Sequence, residues 1–197
     1  MATTGFIVVA VLVVGAWWAV GVYNRLRMLR NRVENAWSQI DVQLKRRHDL
    51  IPNLVEVARG YMQHEAATLE AVTRARNQAV QASGALQHTQ RAGQNLLALS
   101  EAEQLLGSNL GKLMAVSERY PELKADAQMQ SLSEEISSTE NRIAFARQAY
   151  NDQVLEFNDK ASHFPDVLWA RVLGFVHEDM LQSTTSAQER QAPAVRF

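Results

Sequence analysis

The sequence contains no cysteine, and it has only four prolines and nine glycines among 197 residues. The absence of cysteine excludes disulfides, thiol nucleophiles, cysteine-ligated metals and acylation at a lipoprotein cysteine. The small number of prolines and glycines disfavours a fold of many short strands joined by tight turns. A net charge of -1 excludes a chain that binds nucleic acid through an overall positive charge. The hydrophobic fraction of 47% is large enough to bury a core.

A long apolar run occupies residues 5–23, GFIVVAVLVVGAWWAVGVY, and contains no charged side chain. A helix of this length spans about 30 Å, the thickness of the hydrocarbon core of a bilayer. Aromatic side chains and then arginines gather at its carboxyl end, and these are the predicted membrane-interface residues: Trp17, Trp18, Tyr23, Arg25, Arg27, Arg30 and Arg32. The arginines point in several directions around a helix, which favours contact with lipid headgroups over a nucleic-acid-binding face.

A cleavable signal peptide is the rival interpretation of this run. It would need basic residues before the apolar stretch and a small-residue cleavage site after it, and neither is present. The excess of arginine after the run predicts, by the positive-inside rule, an N-terminus outside and a main domain in the cytoplasm. A third interpretation buries the apolar helix among copies of itself in a large assembly.

The rest of the chain has the periodicity of helices, with apolar residues at steps of three and four and no sustained period of two. A kink or tight break is expected near Pro52, a loop over residues 82–94 and another break at Tyr120-Pro121. The clearest run ends at Pro165, and its predicted buried residues are Met129, Leu132, Ile136, Ile143, Tyr150, Val154, Phe157, Ala161 and Phe164. The predicted fold is all-α: a transmembrane helix over 1–23, a bundle of long antiparallel helices over 24–181 and a disordered tail over 182–197.

Several blocks of sequence, in order, resemble the LemA family of bacterial membrane proteins. They include IDVQLKRRHDLIPNLVE, YPELKAD, STENRIAFARQAYNDQVLEFN and FPDVLWARVLGF, and the resemblance covers about residues 20 to 176. It implies a single N-terminal membrane helix, a helical bundle, and neither enzymatic activity nor a cofactor. Family members are often encoded near membrane metalloproteases or other envelope proteins, which implies an envelope-associated scaffold.

The titratable residues form no familiar catalytic or metal-binding motif. The five histidines lack the close helical pairing of a zinc site, so we expect them at helix ends and surfaces. A metal site joining His64 to acidic residues of the last long helix is the weaker alternative. Glu134, Glu135 and Glu140 are expected to be solvated or paired with arginines.

Five residues are predicted to form a partner-binding or packing surface: Trp37, Lys45, Arg46, Arg47 and Trp169. The basic cluster 45–47 either binds an acidic partner or pairs with the acidic last helix, and the pairing is the favoured alternative. An amphipathic segment follows Pro165. Its Asp166, Glu178 and Asp179 against Arg171 have the wrong sign for anionic lipid, so we expect it to dock on the bundle end or on another subunit.

The predicted function is a non-enzymatic, membrane-anchored scaffold or adaptor of the bacterial cytoplasmic membrane. Membrane lipid, further copies of the chain and other envelope proteins such as a membrane metalloprotease are its expected partners; nucleic acid, metals and cofactors are not. A membrane-remodelling coat built from many copies is the alternative, and a metal-dependent membrane enzyme is the alternative of a different class.

Overall fold

The computed structural model describes residues 2–88 and 93–181, and within these ranges it contains helices and no strand. The helices are α1 (Ala2–Tyr61), α2 (Ala66–His88), α3 (Gly93–Ser117), α4 (Pro121–Ala125), α5 (Ala127–Ser162) and α6 (Asp166–Val172). The all-α prediction is confirmed. The predicted tail 182–197 and the centre of the predicted 82–94 loop lie outside the described residues. The start of that loop prediction is wrong, because α2 continues to His88 and buries Ser83 and Leu86 on its inner face.

The chain divides into two compact units, which are described separately. Among the described residues, unit 1 comprises 2–36 and 149–180, and unit 2 comprises 37–88, 93–148 and 181. Helices α1 and α5 each contribute residues to both units.

Unit 2 is an antiparallel helical bundle around one apolar core. Segments of α1, α2, α3 and α5 supply its buried side chains at steps of three and four: Ile51, Leu54, Val55, Ala58, Leu69, Val72, Ala75, Ala79, Leu106, Leu110, Leu113, Met129, Leu132 and Ile136. Contacts between α1 and α5 pair Tyr61 with Asp126 and Arg46 with Glu135, so these two helices run in opposite directions. The predicted bundle of long antiparallel helices is confirmed.

Helix α1 continues through Pro52, so a break at that position is wrong, while the kink that was the other expectation stays a prediction. A proline in a helix lacks the N–H that would bond the carbonyl four residues earlier, here the carbonyl of His48. The guanidinium Nε of Arg76, on α2, donates to this carbonyl at 3.1 Å. Because another helix supplies the missing donor, the chain keeps its helical path to Tyr61.

The start of α5 is fixed by a side-chain cap. The Asp126 carboxylate accepts hydrogen bonds from the backbone N–H groups of Gln128 and Met129, both at 2.9 Å, and from the Tyr61 hydroxyl at 3.0 Å. The bond from the Met129 N–H and the bond from Tyr61 hold the pKa of Asp126 below its usual 3.8. This cap, with Pro121 opening α4, explains why the chain turns at the predicted break.

Unit 1 places part of α1 beside the last turns of α5. Its buried residues include Val22, Leu26 and Leu29 from α1 and Tyr150, Val154, Phe157 and Ala161 from α5. Of the seam predicted for the last long run, every member is buried except Phe164, which is 80% exposed. Phe164 lies beyond the end of α5 at Ser162, where helical spacing no longer applies.

The amphipathic segment after Pro165 is helical only to Val172. Gly174 has φ of 75°, the left-handed conformation that favours glycine at a helix end. The N–H of Phe175 donates to the carbonyl of Ala170 at 2.9 Å, and the N–H of Gly174 donates to that of Arg171 at 3.3 Å. This Schellman motif ends α6 and turns the following residues back along the unit.

Candidate functional site

The first candidate site is the apolar segment of α1. Large side chains up to Val20 are exposed wherever the structure describes them, with 77% for Phe6, 66% for Leu12 and 58% for Val20, whereas Val22 is buried. An apolar core helix of a soluble protein would be mostly buried, whereas only 6% of the most apolar window of this helix is buried. The segment therefore needs an apolar environment that the described part of the chain does not supply.

The predicted interfacial residues lie where this segment ends. Trp17 is 80% exposed, Trp18 46% and Tyr23 44%, in keeping with contact to a surrounding medium. Arg25 and Arg27 are exposed as well. The membrane-interface role of these aromatic and basic side chains stays a prediction.

The other two arginines of this group contact carboxylates within unit 1. Arg30 lies 3.5 Å from Glu178 and 3.9 Å from Glu34, and Arg32 lies 3.6 Å from Glu156. Since α5 carries Glu156, the Arg32 pair joins the two long helices of the unit. These two arginines thus contribute to packing as well as to the positive charge after the apolar segment.

Residues 175–179 bind back onto unit 1. The ring of Phe175 packs between Tyr23 and Phe157, with centroid distances of 5.9 and 6.3 Å. Asn158 accepts from the backbone N–H of Glu178 at 3.0 Å and donates to its carbonyl at 2.8 Å. The Tyr150 hydroxyl donates to the carbonyl of Asp179 at 3.0 Å. This part of the chain is predicted from sequence to dock on the bundle end or on another subunit, and these contacts show the residues that hold it within unit 1.

The second candidate site is a buried polar cluster in unit 2. Arg47 Nη1 lies 3.4 Å from Glu103 Oε2, and His48 Nε2 lies 2.6 Å from Glu103 Oε1. The side chains of Arg47 and His48 are both 5% exposed. The Nε and Nη2 atoms of Arg47 have no hydrogen-bond partner among the described residues. The cluster is therefore an ion pair in which two nitrogen atoms of Arg47 donate no hydrogen bond to the described residues.

A cleft of about 320 Å³ opens beside this cluster. Four charged side chains, Arg47, Glu103, Glu140 and Arg147, line it together with apolar ones. Burial lowers the pKa of Arg147, and the charge of Glu103 opposes that shift. The lining therefore contains two basic and two acidic side chains among apolar ones.

The five residues of the predicted partner or packing surface differ in their surroundings, and their role stays a prediction. Arg46 pairs with Glu135 on α5, with Nε 3.0 Å from Oε1, as the favoured alternative expected. Arg47 instead turns inward to α3, and Lys45 is exposed. Trp37 is only 7% exposed, so it packs inside the chain, and Trp169 is half-buried.

The prediction that the histidines lie at helix ends and surfaces is correct only in part. His64 is exposed in the turn after α1, but His48 is buried and paired, which corrects the expectation that all five lie at helix ends and surfaces. Glu103, a residue that sequence reasoning did not single out, is its partner. Within residues 2–88 and 93–181 there is no group of three or more His, Asp or Glu side chains placed to hold a metal.

Comparison with known proteins identifies the family of this chain. The sequence profile of the LemA family matches residues 36–197. Magnetosome proteins MamQ 1 and MamQ 2 of Paramagnetospirillum magneticum are each 26% identical over 175 residues, covering 81% of this chain and 64% of the relative. Protein LemA of Metamycoplasma hominis is 27% identical over 161 residues, covering 81% of this chain and 69% of the relative. This chain thus spans less than two thirds of the length of the MamQ relatives.

Neither LemA nor MamQ belongs to a known enzyme family. The LemA family is membrane-associated, and α1 contains an apolar stretch long enough to cross a bilayer. The chain therefore belongs to the LemA family, as a single-pass membrane protein that is helical over the part described by the structure.

Proposed function

We propose that this protein is a non-enzymatic scaffold or adaptor of the bacterial cytoplasmic membrane. The observation that carries the proposal is α1, which is exposed and apolar over its first third and then buries its side chains in the bundle. A helix of this kind tethers the bundle to lipid through a retained anchor. The buried Arg47 and Glu103 form an ion pair within the bundle, which supports a role in packing.

Retention in the membrane is tested by placing charge in the apolar segment. A Leu12→Arg, Val13→Arg double substitution adds a cost of roughly 5–7 kcal/mol at the centre of a bilayer-spanning helix. We expect the full chain to stay in the membrane fraction after alkaline carbonate extraction and the double variant to be released. Met28→Arg, an exposed site of α1 outside the apolar run, is the matched control and stays bound. Release of the unaltered chain would contradict the proposal.

The proposed orientation has the N-terminus outside and the bundle in the cytoplasm, because the arginines follow the apolar run. The cysteine-free sequence makes this testable with single cysteines. We expect a membrane-impermeant maleimide added to spheroplasts to label a Thr3→Cys variant at once and a Glu118→Cys variant only after lysis. The reverse pattern would contradict this orientation.

Self-association is the second part of the proposal. A Cβ added at Gly15 or Gly21 would meet no atom of the described chain within 4 Å, so the helix backbone is open there. Small residues allow two membrane helices to approach closely. We expect oxidation to crosslink a Gly15→Cys variant between copies more strongly than Val13→Cys, which lies on the opposite side of the helix. Equal or absent crosslinking would contradict a helix pair that meets at the Gly15 side of α1.

Other envelope proteins, such as a membrane metalloprotease, are proposed as further partners. Crosslinking in intact membranes followed by mass spectrometry tests them. The expected result is contact with copies of the chain and with other membrane proteins, without nucleic acid or a bound cofactor. Stoichiometric metal in the purified protein would instead favour the enzyme alternative.

A further inference from the structure

Unit 1 has a second apolar surface outside the anchor. It consists of four exposed side chains that we name the C-terminal apolar strip: Phe164 at 80%, Leu168 at 58%, Val172 at 77% and Val176 at 76% exposed. Leu168 and Val172 are four residues apart in α6 and therefore share one face of it. The opposite face of α6 is packed inward, since Asp166 and Ala170 are buried.

The segment that carries the strip contacts the carboxyl end of the apolar run. Phe175, between Val172 and Val176 in the chain, packs its ring against Tyr23, the last residue of the apolar run. The Schellman turn at Gly174 and the two hydrogen bonds of Asn158 hold this segment in place. Tyrosines at the end of a membrane span lie at the level of the headgroups. The segment that carries the strip is therefore held, through Phe175, against the carboxyl end of the apolar run.

The negative charge of the segment is partly neutralised once the chain is folded, although Asp179 remains exposed. Asp166 is buried, and its carboxylate lies 2.8 Å from the ammonium group of Lys160. Glu178 lies 3.5 Å from Arg30, and its side chain is 16% exposed. Two of the three carboxylates that argued against a lipid surface are thus paired with cations. Arg171, on α6 itself, is exposed and can reach phosphate groups.

We propose that the C-terminal apolar strip inserts into the interfacial layer of the same membrane that α1 crosses. Lipid is favoured over a second copy of the chain as the occupant because the strip is continuous with the anchor through Tyr23 and Phe175. This proposal rests on the proposed membrane anchoring. It reverses the expectation from sequence that the segment only docks on protein. One face of α6 docks on unit 1 while the other contacts lipid.

A second contact of this kind would restrict the anchor. A single apolar helix can tilt and rotate in a bilayer, and interfacial anchors limit both motions. Amphipathic helices at the interface bury their apolar face about 5–10 Å into the headgroup and acyl boundary. The strip would contact lipid at that shallow depth, without crossing the bilayer.

The test uses the full chain with one cysteine at a time, labelled with an environment-sensitive fluorophore and reconstituted in phosphatidylcholine–phosphatidylglycerol vesicles. The labelled positions are Val172→Cys in the strip, Leu12→Cys in the anchor and Glu118→Cys as an exposed control in unit 2. Nitroxide lipids carry the quencher either near the headgroup or near the end of the acyl chain. Far-UV circular dichroism shows that each variant keeps its helices.

We expect the shallow quencher to reduce emission at Val172→Cys several-fold more than at Glu118→Cys. Leu12→Cys should respond most to the deep quencher. If Leu12→Cys is quenched while Val172→Cys behaves like Glu118→Cys, the inference about the strip is wrong and the anchor stands. If Leu12→Cys is not quenched either, the proposed anchoring itself is wrong. An unquenched Val172→Cys whose emission depends on protein density in the vesicle would identify a second copy as the occupant and also overturn the inference.

Discussion

The contact between Arg76 and the carbonyl of His48 predicts a coupling between two distant positions of the sequence, 52 and 76. Pro52 deprives this carbonyl of its helical donor, and Arg76 Nε replaces that donor at 3.1 Å. His48 is only 4% exposed, so water cannot easily substitute. Loss of the arginine therefore leaves a buried acceptor without a partner.

The expected cost follows from that unpaired carbonyl. An unsatisfied buried acceptor lowers the free energy of unfolding by about 1–3 kcal/mol, and donors that carry charge lie toward the upper end. We therefore expect Arg76→Met, which keeps most of the apolar stem, to lower stability by about 2 kcal/mol. Restoring the backbone N–H with Pro52→Ala should supply the helical bond and make the arginine dispensable. In that background, Arg76→Met should cost less than about 1 kcal/mol.

Urea unfolding of the full chain in detergent micelles, followed by far-UV circular dichroism, measures all four variants of this cycle. The cycle removes the contribution of other Arg76 contacts, such as the one to Asn77, because they are lost equally in both backgrounds. An equal cost of Arg76→Met in the two backgrounds would refute the explanation of how α1 passes through Pro52.

Four further predictions concern charge, helix propensity, a left-handed backbone position and pH. Glu103→Gln leaves the buried guanidinium of Arg47 without its carboxylate and should cost about 3 kcal/mol in urea unfolding, against less than about 1 kcal/mol for the exposed control Glu135→Gln; equal costs would contradict the role of the buried pair. Gly111→Ala, with open space around its added Cβ, should raise the free energy of unfolding by about 1 kcal/mol. Gly174→Ala should lower it by roughly 1–2 kcal/mol because φ is positive there. The folded pKa of Asp126 is below 3.8, so its stabilisation is complete above that pH and is lost as the pH falls through the folded value. The advantage of the unaltered chain over Asp126→Asn in thermal unfolding should shrink over that acid range, and a constant difference would contradict the cap.

Much of the fold is predictable from local patterns. The three-four spacing of apolar residues identifies the buried side of α5, from Met129 to Ala161. The break at Tyr120-Pro121 is readable because proline at a helix start and an aspartate cap are local signals. The exposed anchor is also readable, since an uncharged apolar run of that length has few alternatives.

The predictions that were wrong concern residues of one helix whose hydrogen-bond partners lie on another helix. Pro52 looks like a helix breaker until Arg76, on α2, is known to lie beside it. His48 looks like a surface residue until Glu103, on α3, is known to face it. Neither partner stands in a recognisable motif, because the pairing depends on the packing of helices far apart in sequence. The signal that could have revealed the first pairing is a basic residue, here Arg76, at the position of α2 that packs against the turn of α1 before Pro52.

The buried ion cluster has a consequence for how the helices of unit 2 match one another. A seam of leucines and isoleucines is almost unchanged when one helix slides by seven residues, because similar apolar groups meet again. The same slide would carry Glu103 about 10.5 Å along the axis. The buried side chains of Arg47 and His48 would then lose their carboxylate partner. The carboxylate of Glu103 therefore favours the observed alignment of α3 over alignments shifted by seven residues, which the apolar residues of the core would tolerate.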